Sequence, residues 1–398
     1  MSGRGAAERG AAVAASAGAR RAWRVFAVNP GSTSTKVALF EGEEELFKEN
    51  IAHGRDELAA FDTIEDQVPY REEFVRRALA ERGVELSSID AFVGRGGSSY
   101  SMEGGTYVAD DLLVRDTLRA AGETVHPANM GPALAKALAE EAGAHAGAFV
   151  VSPPVTDEFD DVARVTGIEG VYRHSNLHAL NLKETALRHG KLVGPAYAEG
   201  NYIVCHLGGG VSVSAHRRGR MVDGNDNSGG DGPFAPTRTG SVAVREVVKL
   251  VEGGALNARE VMNRTIRDGG YLDWLGTADA REVEQRVERG DAKAALVQEA
   301  LFYQIVKEIG AMACALAGRV DAILLGGGLV HSESLVRYVR EHCAFIAPIY
   351  AYPGEFEMEA MAAGATRILD GEEQPRRYSG RPVWSGFSFA DNSREEGV

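Results

Sequence analysis

Near the start of the chain, residues 25–40 read VFAVNPGSTSTKVALF, two apolar runs joined by a turn carrying Asn29, Gly31, Ser32, Thr33, Ser34, Thr35 and Lys36. A plain hairpin turn needs one glycine or asparagine, so four hydroxyls and a cation exceed what the geometry demands. Such donors suit an anion, and a glycine turn at a strand end adds backbone N–H groups that can hold one. The stretch is not a P-loop, because the second glycine before the lysine is missing. A similar turn recurs in HLGGG, with His206, Gly208, Gly209 and Gly210, and in LLGGG, with Gly326, Gly327 and Gly328. No Cβ stands in the way there, so backbone can approach a ligand closely. One glycine turn is usually only a turn; three at equivalent strand ends predict phosphate binding.

Two arginines have unusual neighbours. Arg95 lies in VGRGG, directly after an apolar strand, and Arg238 lies in GPFAPTRTG. The planar guanidinium suits a carboxylate or a phosphate, and the plainer alternative is an arginine satisfying loop carbonyls. His178 in SNLHALN, His206 in CHLGGG and His126 in VHPANMG lie beside polar turns. Each reads as a catalyst or as a hydrogen-bonded core residue. No H-E-x-x-H spacing occurs, so a divalent ion is expected to be Mg²⁺ carried by phosphates. In SPPVTDEFDDVAR, the acids Asp157, Glu158, Asp160 and Asp161 follow a strand and a double proline. They read as helix N-terminal acids complementing the dipole, or as ligands for Mg²⁺ or substrate.

These residues need strands to carry them, and the strands repeat. YIVCHLGGGVSVSAHRRGRMVDG, residues 202–224, follows the plan of the opening stretch, with Asn29-Pro30-Gly31-Ser32 answered by His206-Leu207-Gly208-Gly209. IDAFVGRGG (89–97) is answered by VDAILLGGG (320–328), each preceded by a helical pattern of apolar residues. Two pairs in the same order argue two α/β domains facing one another, with a ligand cleft lined by glycine-rich strand ends. The helix LFYQIVKEIGAMACALAG fits a core or an interface equally well.

At 398 residues, two domains are expected. The 43 Lys and Arg against 57 Asp and Glu leave a net charge of −14, which repels nucleic acid and anionic membrane. Neither is an expected partner, and no apolar stretch approaches a membrane span. Cys205, Cys343 and Cys314 are far apart, which predicts buried thiols in a reducing, cytoplasmic setting rather than disulfides. Residues 1–23 read as an Ala, Gly and Arg tail without the apolar middle of a secretion signal, and residues 371–398 as a polar tail.

Taken together, VFAVNPGSTSTK, VGRGG, EGGTY, HALN, HLGGG and GPFAPTRTG resemble the acetokinase family, and within it the butyrate-kinase branch. The resemblance runs from about residue 24 to about residue 369. It implies the actin-like ATPase fold, two duplicated ribonuclease-H-like domains with an interdomain cleft. An acyl-side domain would span 24–190 plus about 350–370, and a nucleotide-binding domain 191–349. It implies transfer of the γ-phosphoryl of ATP to a short-chain carboxylate, giving an acyl phosphate and ADP, with Mg²⁺, in a homodimer or larger assembly. A carboxylate is already ionised at neutral pH, so no general base is required, and the task is to join two anions.

By resemblance, Arg95 holds the carboxylate, Arg238 the phosphoryl oxygens, and His178 donates to the transition state. Asn29, Ser32 and Lys36 belong to the β-phosphate and Mg²⁺ region, where the turn's hydroxyls face phosphate. His206 and Gly208–Gly210 line the phosphate path, and Gly326–Gly328 approach the nucleotide. Glu355 is the Mg²⁺-side carboxylate, with Glu357 nearly as good a match. Two departures stand out. The butyrate-kinase branch usually reads Val-Asp-Pro where this chain has Val151-Ser152-Pro153, which leaves Asp157 to take over or metal binding weaker. Ser98, Ser99, Tyr100 and Ser101 replace a more apolar run and would alter an acyl pocket bordered by that loop. A kinase for a hydroxyl acceptor and a non-catalytic nucleotide-binding protein share the same frame.

Overall fold

The computed structural model of the protein describes residues 21–122 and 124–388. Strands β1 (Arg24–Pro30), β2 (Ser34–Glu41) and β3 (Glu44–Ala52) form an antiparallel meander. β4 (Ala91–Gly94) runs parallel to β1, and β6 (Gly147–Val151) parallel to β4, while β5 (Thr106–Val108) closes the edge antiparallel to β6. The order is β3-β2-β1-β4-β6-β5. Alternate side chains leave opposite faces of a strand, and both faces here are apolar. Phe26, Val28, Val37 and Leu39 meet helices α1 (Gln67–Ala80) and α2 (Gly131–Ala142) through Val75, Leu79, Leu134 and Leu138.

The second sheet repeats the plan, which is the duplication expected from the sequence. β7 (Asn201–Leu207), β8 (Val211–Arg217) and β9 (Arg220–Gly224) form the meander, followed by parallel β10 (Ala322–Gly327) and β11 (Ile349–Pro353). Their order is β11-β10-β7-β8-β9. Helix α3 (Ala179–Leu192) covers one face, placing Leu182 and Ala186 against Val204 and Leu324. Helix α4 (Ala292–Ala315) covers the other, with Leu301, Ile305 and Ile309 packed among Val213, Ile323 and Leu325. The helix that the sequence left between core and interface is therefore core along this face.

After β11 the chain crosses back. Helix α5 (Glu357–Leu369) lays Met358, Met361 and Ala365 on Val25, Ala27 and Phe40 of the first sheet. The expected boundary near 350 falls inside β11, whose ladder to β10 keeps Ile349–Pro353 in the second sheet. Helix α3, expected in the first domain, packs on the second sheet because its apolar face matches β7 and β10.

Residues 1–20 of the expected N-terminal tail lie outside the described residues, while Arg21 pairs with Asp90 at 2.6 Å. At the other end, Arg376 exchanges backbone hydrogen bonds with β5, donating to Thr106 O (2.8 Å) and accepting from Val108 N (2.9 Å). Trp384 and Phe387 then close on Tyr172, with ring centroids 5.0 and 5.7 Å away. The polar segment is thus packed as far as 388, and 389–398 lie outside the described residues. Cys205 and Cys343 are free and buried; Cys314, expected buried, is exposed on α4. Among the described residues no helix is long and apolar enough to cross a membrane.

Candidate active site

The first turn is closed by Gly31 N–H donating to Ser34 O at 2.7 Å, with Asn29 paired to Lys36 and Pro30 to Thr35 across the strands. Ser32, Thr33 and Lys36 are exposed. Thr35 is buried and points the other way, its hydroxyl 2.8 Å from His53 Nε2. Strand alternation therefore corrects the expectation that all the hydroxyls face phosphate. Asn29 Nδ2 donates to Glu357 Oε2 at 3.1 Å.

Arg95 follows β4, where the backbones of Gly94 and Gly131 touch so closely that a Cβ on Gly94 would run into Gly131 O. That contact seats α2 against the strand end and fixes where Arg95 starts. The Arg95 side chain is buried, with Nη2 3.5 Å from Glu357 Oε1. Its Nη1 has no hydrogen-bond partner among the described residues. A buried guanidinium N–H left unmade is costly, and an anion is a partner that would satisfy it. Glu357 is the first residue of α5, where the helix dipole favours a carboxylate.

His178 and His206 stack at 3.9 Å between centroids and 16° between planes. Asn181, in the first turn of α3, accepts Phe356 N–H on Oδ1 (3.4 Å) and turns Nδ2 to His206 Nδ1 (2.6 Å). An acceptor at Nδ1 leaves the ring proton on Nε2. Ser212 Oγ accepts His178 N–H (3.4 Å) and lies 2.8 Å from His178 Nδ1; in the tautomer where the hydroxyl donates to Nδ1, His178 carries its proton on Nε2. Burial, then His206, Arg238 and Arg95, hold the His178 pKa well below the ordinary value. His206 is lowered to about 4, chiefly by burial; Glu357 opposes the shift, and Arg238 and Arg95 add to it. Near neutral pH both rings are uncharged donors.

Arg238 is held by Asn227 Oδ1 on Nη1 and by Ile266 O on Nε (3.2 Å). Gly210 lies against it, and a Cβ there would collide with the guanidinium and with Asn227. Gly208 lies beside His206 Nε2 and Glu355 Oε1, while Gly209 and Gly328 face open space. Gly326 adjoins Thr185 and Asn181, and Gly327 exchanges backbone hydrogen bonds with Gly354 at 2.9 and 3.1 Å. Glu355 Oε1 is 3.8 Å from His206 Nε2, and burial followed by Glu357 raises its pKa, with Lys36 opposing. Asn29, Arg95, His178, His206, Arg238, Glu355 and Glu357 thus converge from both sheets.

Asp157 does not join them. Its two oxygens take Arg164 Nη1 and Nη2 at 2.7 Å each, in a buried bidentate pair, so it is spent on structure. Ser152 is 4% exposed, and its Oγ accepts Gly105 N–H at 3.2 Å, so it cannot replace an aspartate. Ser98 is also engaged: its N–H donates to Asn129 Oδ1 (2.9 Å) and its Oγ accepts Thr124 N–H (3.2 Å). The structure pairs Asn29 with Glu357 rather than Glu355. Asn181, Ser212 and Asn227 escaped the sequence reading, although Asn181 stands three residues after His178, one helical turn along the same face.

The acetokinase family model matches residues 169–347. A probable butyrate kinase of Clostridium botulinum (strain Alaska E43 / Type E3) is 42% identical over 356 residues, 89% of this chain and 99% of its own. A second, from strain Eklund 17B / Type B, agrees in identity and coverage. Among solved structures, Porphyromonas gingivalis acetate kinase superposes with a TM-score of 0.73 at 18% identity, covering 87% of this chain and 100% of that one. Entamoeba histolytica acetate kinase gives 0.69 at 14%, covering 86% and 99%. These likenesses show the actin-like ATPase fold that two sheets of duplicated topology already indicated. With near-complete coverage of its curated relatives, the chain belongs to the acetokinase family and is a phosphotransferase acting on a carboxyl group.

Proposed function

We propose that the protein transfers the γ-phosphoryl group of ATP to butyrate or a branched four- or five-carbon acid, reversibly, in the cytoplasm. The observation that carries this reading is the meeting of Arg95, Arg238 and two neutral imidazoles between the glycine turns. The acid binds as its anion on Arg95 Nη1, which no protein group among the described residues engages. One carboxylate oxygen attacks the γ-phosphorus as the bond to the ADP oxygen breaks, and no proton changes hands. Arg238 and the Nε2–H of His178 stabilise charge on the transferring oxygens, and His206 Nε2–H supports the phosphate path. Neutral donors suit this step, because a neutral imidazole N–H binds oxygen without giving up its proton.

Open space at Gly209 and Gly328 leaves room for phosphate and nucleoside, with Ser32, Lys36, Gly208, Gly210, Gly326 and Gly327 around them. Among the described residues no group of three or more His, Cys, Asp or Glu could cage a metal, and the Mg²⁺ of this reading arrives on the phosphates. Asn29 and Glu355, together with Glu357, are the oxygen donors that would face Mg²⁺. When bound, it supplies neutralisation of the phosphate oxygens. The first sheet then serves the acid and, through its turn, the phosphates, and the second the phosphates and the nucleoside. A hydroxyl acceptor would call for a carboxylate base, and Asp157, the candidate the sequence offers, is held by Arg164. A homodimer or larger assembly belongs to the same reading, supported by Val244, Val248 and Val251 exposed along one helix.

A hydroxamate assay with ATP and Mg²⁺ across acetate, propionate, butyrate, isobutyrate and valerate tests the proposal. Product from the four- and five-carbon acids is expected. No product from any acid, with nucleotide binding intact, would overturn it.

A further inference from the structure

A cation beneath the first turn takes part in none of the steps above. Arg71, on α1, is 0% exposed and heads the fully buried side chains by volume among the described residues. Its Nη1 donates to Ser34 O (3.1 Å) and Thr35 Oγ1 (3.0 Å), and its Nε and Nη2 donate to Gln67 Oε1 (3.3 and 3.1 Å). Every acceptor is neutral, and among the described residues no carboxylate partners it. The fold treats other buried cations differently: Arg164 has Asp157, Lys183 has Glu158, and Arg95 has Glu357. A buried charge without a counterion is costly, so its retention calls for a compensating anion.

The position says which anion. Ser34 O also accepts Gly31 N–H at 2.7 Å, so Arg71 holds the bond that closes the turn. Thr35 links Arg71 to His53 on the far side, and His53 is kept neutral, its pKa lowered to about 4 by burial and then by Arg71. Among the described residues the buried net charge under the turn is positive, the Glu57 carboxylate acting on His53 from the exposed surface. Above the turn stand the exposed Ser32, Thr33 and Lys36. We propose that Arg71 is a positioning residue whose counterion is the polyphosphate of a nucleoside di- or triphosphate. It sets a fixed positive charge behind the N–H and hydroxyl donors of residues 31–35. This rests on the reading that the turn faces phosphate.

Calorimetric binding of Mg-ADP and of adenosine to the full chain tests it, with melting temperature as the check on folding. Arg71→Met should weaken Mg-ADP about tenfold and leave adenosine unchanged, while Arg71→Lys stays within about threefold of wild type. Thr35→Val, which keeps the charge and loses the bonds to Arg71 and His53, should also stay within about threefold. Arg71→Gln keeps a donor without the charge and replaces the Met variant if that variant fails to fold. Wild-type affinity in the uncharged variants overturns the proposal. So does a Thr35→Val loss as large as that of Arg71→Met, since turn order rather than charge would then be responsible. Wild-type protein that binds no Mg-ADP overturns both this proposal and the phosphate-facing turn. Protein that binds Mg-ADP yet phosphorylates no acid breaks only the acceptor assignment.

Discussion

The two strand-turn-strand units begin alike and are supported differently. In register, Asn29 pairs with Lys36 as His206 pairs with Ser212, and one step further Pro30 pairs with Thr35 as Leu207 pairs with Val211. Under the second turn, Leu207 and Val211 sink into an apolar cluster at 0% and 1% exposure. Under the first, Thr35 meets Arg71 and His53. The second turn gets its positive and donor groups from the side, through Arg238 and the two imidazoles. The first is served from below. If both turns hold phosphate as proposed, one backbone plan holds an anion in two ways, and the residue beneath the turn decides which.

Removing the side-on cation tests this contrast most severely. Arg238→Ala should lower kcat at least ~100-fold in protein that still melts cooperatively, as expected for one lost transition-state cation. Near-normal turnover would remove Arg238 from the chemistry and leave the second turn without its distinguishing charge.

A gentler displacement of the same group comes from Gly210→Ala, whose Cβ would push on Arg238 and Asn227. A shift of that kind should cost roughly 10- to 100-fold in kcat. Gly209→Ala meets no protein atom within 4 Å and leaves Arg238 in place, but its Cβ would enter the space read as the phosphate's. Its loss should fall on KM for ATP, with kcat within about twofold of wild type. Equal kcat losses in the two variants would mean that the turn backbone matters more than the placing of Arg238.

The smallest effect is on stability. The pKa of His206 falls from an ordinary 6.5 to about 4 in the folded chain. Between those values the unfolded chain binds the proton and the folded chain refuses it. The His206 contribution is thus complete above pH 6.5 and is lost as the pH falls toward 4, by roughly 3 kcal/mol. His206→Asn should flatten part of that slope in denaturant melts across this range. An unchanged slope would place the sensitivity elsewhere, His53 beneath the first turn being the counterpart with the same lowered value.

The sequence made the duplication legible because strand alternation and glycine ends are local signals, and β1–β2 with β7–β8 follow them. Arg95, His178, His206 and Arg238 were legible for the same reason, each standing next to a turn that had to be there. Asp157 misled because its partner, Arg164, lies seven residues on, and one dimension cannot show a guanidinium folding back over the intervening Phe159. Glu355 and Glu357 differ by two residues across the start of α5, and only the helix start decides which faces Arg95 and Asn29. Arg71 is written as one basic residue in REEFVRRALAERG, where charge reads as surface. Its burial depends on β2 arriving opposite with Thr35 inward.

The return of α5 to the first sheet also orders the birth of the molecule. Val25, Ala27 and Phe40 are among the earliest described residues to leave the ribosome, and their cover, Met358 to Ala365, is among the last. The whole second sheet is synthesised in between, so the first half waits with one apolar face open while its twin is already complete. A released chain ending at residue 356 would contain the whole second sheet with both its covers and a first sheet with one apolar face open. Maturation of the site is thus tied to the final stretch of translation.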